Sequence, residues 1–276
     1  MRSAFKSIYI VVLAATVLAA TGCGSSGTIS SSAAAPSAAS SAPSSSAAST
    51  SASATATTAS TPSVPPTTSS SADTGATLTT DQIRGLLLTD KDDPGYVYDA
   101  SKDYTSTSDT PDAVTGGSAC QMFADATNAL STKYGTTVEA GRRLTKSADG
   151  HEIRSEVAVM PSVENAKALI SDLTTGLKGC KSLSVTQGSE SYSMELGVVP
   201  QLVKDDQVGY INYTSASGKT TVLLAVELVR VGTAVSVVGL VGPSTTDSVV
   251  LGKMGLTLAR LSDVQAERVK VAEGLS

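Results

Sequence analysis

Between Gly24 and Ala72 the chain carries no Asp, Glu, Lys or Arg, and Ser, Ala, Thr and Pro dominate its composition. Such a stretch has few large apolar groups to repay the entropy of ordering its backbone. It reads as a flexible, partly extended tether, stiffened at its far end by Pro62, Pro65 and Pro66. Dense Ser and Thr with Pro is also the composition of a glycosylated stalk. The tether separates a short leader from a C-terminal part expected to fold over residues 78–271, long enough for one sizeable core.

The leader explains the tether. Arg2 and Lys6 precede an apolar run from Ile8 through Ala20, and small residues follow. This is the three-part pattern of a secretory signal, expected over residues 1–22. The run is shorter than the about 20 apolar residues that a membrane span requires. Ala20, Thr21, Gly22 and Cys23 resemble a bacterial lipobox, with Ala20 where leucine is usual. The resemblance implies a diacylglycerol on Cys23, cleavage just before it, and a lipidated tether over 23–77. Each buried methylene contributes about 0.8 kcal/mol, so several acyl chains, palmitate among them, hold a protein at the membrane stably. The expected location is the extracytoplasmic face of the cell membrane, with plain secretion as the alternative.

Cys120 and Cys180 remain. An even remainder in an exported chain argues for a disulfide in an oxidising compartment. The alternatives are two free buried thiols or a redox pair, although the latter favours Cys-x-x-Cys spacing. The net charge of −5 becomes −7 once Arg2 and Lys6 leave with the signal. That balance, together with export, excludes nucleic acid as an expected partner.

The pattern beyond residue 78 mixes both periods. Thr80 is the expected cap of a first helix that turns Ile83, Leu86 and Leu87 inward, and Asp92, Asp93, Pro94 and Gly95 end it in a turn. Residues 99–117 read as a surface loop. A helix is expected over 118–134, with Cys120, Phe123, Thr127, Leu130 and Tyr134 on one stripe. Strands over 136–147 and 151–160 flank Asp149-Gly150, a hairpin signal. In the second of them Ile153, Ser155, Val157 and Val159 share one alternation, and Arg154 and Glu156 take the other. Ser162 caps a helix whose stripe runs from Val163 to Leu177, and Gly179 signals its end. Strands follow at 182–187, 190–199, 207–215, 219–231 and 233–242, with Ser217-Gly218 turning one pair. The last helix, expected over 245–263, carries Val249, Val250, Met254, Leu258 and Leu261. Helices and hairpins without strict alternation give an α+β domain: an antiparallel sheet with helices packed against it, and one disulfide between helix ends.

Several segments carry a family likeness. Leu86-Leu87-Leu88-Thr89 precedes Pro94-Gly95-Tyr96; then come the Cys120 helix, Cys180, and Val229-Arg230-Val231-Gly232-Thr233-Ala234-Val235. In this order they resemble the PknH-like extracellular sensor domain, found in actinobacterial lipoproteins and outside some receptor Ser/Thr kinases. The resemblance implies helices packed on an antiparallel sheet and a cleft for an unidentified ligand. Family members commonly hold two disulfides, whereas this domain has cysteines for one. The chain shows no kinase domain, so a sensory output is expected to pass through another protein.

No catalytic constellation emerges. His151 is the only histidine, and no Gly-x-Ser-x-Gly elbow occurs. Asp90, Asp92 and Asp93 lack the calcium-loop pattern, and Asp205-Asp206 reads as a solvated turn. Gly239-Leu240-Val241-Gly242 lacks the rest of a nucleotide fingerprint. No cofactor, metal or catalysis is expected. The candidate ligand-binding residues are Arg142, Arg143 and Arg230, charged positions inside strands, with Tyr192, Tyr210 and Tyr213. The expected function is binding of a small envelope ligand or a protein partner. The alternatives are a structural or protein-interaction module and an envelope hydrolase centred on His151.

Overall fold

The structure, a computed structural model, describes residues 78–105, 114–146, 150–187, 190–216 and 222–275. The signal segment, Cys23, the tether, Asp149 and the Ser217-Gly218 turn lie outside the described residues.

Nine strands form one sheet. They are β1 (Val97–Tyr98), β2 (Val114–Thr115), β3 (Val138–Lys146), β4 (His151–Val159), β5 (Ser182–Gln187), β6 (Glu190–Val198), β7 (Gln207–Ala216), β8 (Val222–Val231) and β9 (Ala234–Pro243). Their order is β1-β3-β4-β9-β8-β7-β6-β5-β2, and every pairing is antiparallel. Gly232, at φ 58°, supplies the left-handed residue that the short β8–β9 turn needs. The two central strands, β8 and β9, are apolar on both alternations, because helices cover both faces of the sheet.

Helices α2 (Ser118–Asn128), α3 (Leu130–Tyr134) and α4 (Val163–Gly179) lie on one face. Phe123, Leu169, Leu173 and Leu177 meet Met194, Leu196, Val226 and Leu228 there. The disulfide Cys120–Cys180 staples the first turn of α2 to the cap of α4. Glycines bring the two helices close: a Cβ at Gly176 would lie 2.8 Å from the Phe123 backbone nitrogen. The other face carries α1 (Thr80–Leu86) and α5 (Ser248–Ala272). Ile83, Leu87 and Val269 pack on Val157, and Leu258 and Leu261 pack with Leu144, Ile153 and Val238. Each fully buried side chain of this size contributes roughly 1.5–3 kcal/mol. Among the described residues no helix is long and apolar enough to cross a membrane.

Four local features differ from expectation. The α1 cap is Thr79, not Thr80, because Thr79 and Gln82 form a reciprocal capping box. The 118–134 helix breaks at Ala129 (φ −116°, ψ 38°), so α2 and α3 are separate. The expected loop over 99–117 contributes β2, and Tyr104 pairs its backbone with Gly141. The last helix starts at its Asp247 cap and runs on to Ala272; Val249 and Val250 are exposed rather than inward. Its buried stripe includes Ser262 and Gln265, polar residues that disguise the second half as surface.

Candidate functional site

The register of the central strands lines up one row of residues under α2–α4. Tyr210 pairs with Val226, Val226 with Gly239, and Gly239 with Arg154. Three strand spacings of about 4.8 Å separate the ends of this row. The two long side chains, Tyr210 and Arg154, therefore lean over a floor in which Gly239 contributes no side chain. A Cβ there would already approach Leu224 at 3.3 Å and Arg154 at 3.5 Å. The missing volume opens a slot between sheet and helices.

The slot is narrow and mostly apolar. It offers about 60 Å³ to water-sized guests, inside about 650 Å³ of empty space that reaches solvent. Leu130, Leu169, Leu224, Leu228 and Val235 form its walls. The helical wall is interrupted where Ala129 separates α2 from α3, and the neighbouring Asn128 amide is buried without a hydrogen-bond partner.

Three large polar side chains, Glu156, Arg154 and Tyr210, interrupt the apolar lining. Glu156, only 2% exposed, lines the slot and accepts from the Tyr104 hydroxyl at 3.2 Å. Burial pushes its carboxyl well above the ordinary range, favouring the protonated form. Arg154 also lines the slot, and its Nε donates to Glu152. Burial lowers the Arg154 pKa, while the Glu152 charge opposes that shift. Tyr210 is 6% exposed and meets Phe123 edge-on at 5.4 Å. It makes no hydrogen bond among the described residues. Burial drives its hydroxyl pKa upward, and the charges of Glu156 and Arg154 both reach it. Tyr104 is likewise raised by burial and lies against Gly141, where a Cβ would sit 2.2 Å from the ring. Among the described residues no group of three or more His, Cys, Asp or Glu could hold a metal ion.

The six residues singled out from sequence do not converge. Tyr210 lines the slot, and Arg143, exposed beside Arg154 in the β3–β4 register, stands 5.7 Å from the Tyr104 ring centroid. Arg142 points to the opposite face. It pairs with Asp103, donates to the Leu88 and Arg84 carbonyls, and lies 4.2 Å over the Tyr98 ring. Tyr192 is buried on β6 away from the slot, and Tyr213 alternates to the side opposite Tyr210. Arg230 pairs with Asp206 and donates to the Gly232 carbonyl at the far turn. His151 lies against Gly242 at the start of β4.

Sequence reasoning passed over Arg154, Glu156, Tyr104 and Gly239. Charges at alternate positions of a strand read as a solvated face. The counter-signal is Ala158 and Met160, which continue the same alternation into core.

Comparison with known proteins places this geometry. No curated protein sequence matches the chain. Among solved structures it is similar to the crystal structure of the extracellular domain of PknH from Mycobacterium tuberculosis, at 18% identity and a TM-score of 0.50. That match covers 69% of this chain and 97% of the other, and it shows a shared fold. Residues 78–250 match the family described as the PknH-like extracellular domain. The helix-covered antiparallel sheet, the disulfide-stapled helices and this match together make the chain a member of the PknH-like extracellular domain family, and its folded part an extracytoplasmic domain.

Proposed function

We propose that this chain is a lipoprotein anchored through Cys23 to the outer face of the cell membrane, and that its domain is a sensor-type receptor for a slim small molecule. The observation that carries the reading is the slot beneath α2–α4: apolar walls, a glycine floor, and a few largely buried polar side chains in its lining. Narrow apolar sites with a few convergent polar groups are the usual form of small-molecule pockets. The domain acts by binding, and any signal leaves through a partner protein.

Recovery of the full chain from membranes tests both halves. Intact mass is expected to show a mature chain beginning at diacylated Cys23. Native mass spectrometry is expected to show a co-purifying small molecule that is lost from Gly239→Val, whose added side chain fills the slot floor. An unlipidated chain overturns the anchor. A protein empty in both forms overturns the receptor reading and favours a protein-interaction module, to which the exposed Val249, Val250 and Leu256 on α5 point.

A further inference from the structure

The helical wall of the slot has a weak place, the elbow where α2 gives way to α3. Ala126 and Thr127 line the slot before Ala129, and Leu130 lines it just after. Both arms of the elbow are anchored. The Cys120–Cys180 bridge and the close approach of Gly176 to Phe123 hold α2. Tyr134, 2% exposed, holds the end of α3: its hydroxyl donates to Asp172 at 3.0 Å, and its carbonyl accepts from Asn165 at 3.0 Å. Between the anchors the bonds are local. The Thr127 hydroxyl donates to the Phe123 and Ala124 carbonyls, the Ala129 amide to Asp125, and the Thr132 hydroxyl to Ala129.

The elbow also carries an unmet demand. Asn128 is only 7% exposed, and both polar atoms of its amide are buried without a hydrogen-bond partner among the described residues. An unmatched buried amide is costly, and water satisfies it. The start of α3 has no side-chain cap either. A movement that brings Asn128 to solvent therefore regains hydrogen bonds and withdraws Leu130 from the slot wall in one step. Lys133 opposes it. Its ammonium lies 3.7 Å from Asp125 on α2 and 3.1 Å from Asp172 on α4, a brace across the bend. Resting on the reading of the slot as a ligand site, we infer that residues 128–132 are its gate. The elbow swings outward between the fixed ends of α2 and α3, favoured by hydration of Asn128 and restrained by Lys133.

The test places a thiol inside the slot. Ala158, 1% exposed, lines it, and Ala158→Cys in the full chain is treated with methyl methanethiosulfonate, the parent chain giving the background. Amide exchange at Ala129 and Lys133, whose hydrogen bonds flank the bend, is followed in parallel. Labelling is expected to be slower than at an exposed thiol, faster than global unfolding, and insensitive to low urea. Asn128→Ala removes the unmatched amide, so labelling and exchange at the elbow should fall together about tenfold. Lys133→Met removes the brace and should raise both about threefold, with exchange in α5 unchanged. A general loss of stability would speed both variants instead of moving them in opposite directions. If the thiol reacts as fast as an exposed one, the slot stands open: the gate is overturned and the receptor reading survives. If labelling follows global unfolding, or is the same in all variants, guests do not enter at 128–132 and the inference fails. The receptor reading is then judged separately, by the small molecule expected to co-purify from membranes.

Discussion

On the α1/α5 face, polar side chains sew the helices to the sheet. On the α2–α4 face, apolar contact and one disulfide hold them. Ser155 accepts from the Leu88 amide and bonds Gln265, whose amide donates to the Glu156 and Val237 carbonyls. Arg268 pairs with Asp92, and Thr233 donates to Glu273 near the end of α5. Across the sheet, the bonds of Gln121 and Thr127 stay within α2, and Tyr134 and Asn165 tie α3 to α4. A layer attached by directional bonds has one registry. A layer attached by greasy contact can shift on the sheet. The slot lies under the second kind of layer, where a guest can enter without breaking strand-to-helix hydrogen bonds.

The largest expected effect tests the staple. Closing the loop of 60 residues between Cys120 and Cys180 stabilises by about 4 kcal/mol on the chain-entropy account. The double variant Cys120→Ala/Cys180→Ala should lose most of this in urea unfolding. It should also open the α2–α4 layer first, seen as faster amide exchange there than in α5. Uniform exchange across both layers would break the comparison.

Second in size is Gln265→Leu. The substitution keeps the volume but strands Ser155 and two buried carbonyls, so a loss of roughly 2–3 kcal/mol is expected in the same assay. Amide exchange should now rise in α5 and leave α2 and α4 unchanged. A loss under about 0.5 kcal/mol would mean that the polar seam contributes little and that both layers are held by area alone.

Much of this asymmetry was hidden in the sequence, for identifiable reasons. The strands from β3 onward, the Ser162 cap and the pairing of Cys120 with Cys180 were legible, because period-2 alternation, capping chemistry and cysteine count are local signals. Arg142 and Arg143, neighbours in one strand, fall on opposite faces by simple alternation, yet which of them locks α1 and which stands near the slot depends on contacts that alternation does not give. The slot itself depends on Gly239 falling in register between Val226 and Arg154, a relation among three strands that no local window contains. Gln265 shows the same limit. Its polarity made the end of α5 resemble surface, whereas its role is set by carbonyls on strands 28 and 109 residues away.

The smallest effect separates two buried carboxyls, one on each face. Burial raises Glu156 on the slot face well above the ordinary range, although its carboxylate accepts from the Tyr104 hydroxyl. Burial also raises Glu227 on the α5 face, but side-chain donation from Gln207 pulls it back. Raised acids follow a fixed sign. Below the ordinary value of about 4.5 both states hold the proton, and stability is at its full level. As pH climbs above that, the unfolded chain releases a proton the native state retains, so stability declines by up to about 1.4 kcal/mol per pH unit until the folded value is passed. Glu156→Gln carries no such proton and accepts the Tyr104 hydroxyl through its amide oxygen. Its advantage over the parent should therefore be absent near pH 4 and grow steadily toward pH 8 in denaturant unfolding. Glu227→Gln should show the same trend with a shallower rise, because the Glu227 carboxylate is partly solvated by its own neighbours. Equal slopes would mean that the slot end is as well furnished with partners as the seam, and the contrast between the two faces would not hold at their buried acids.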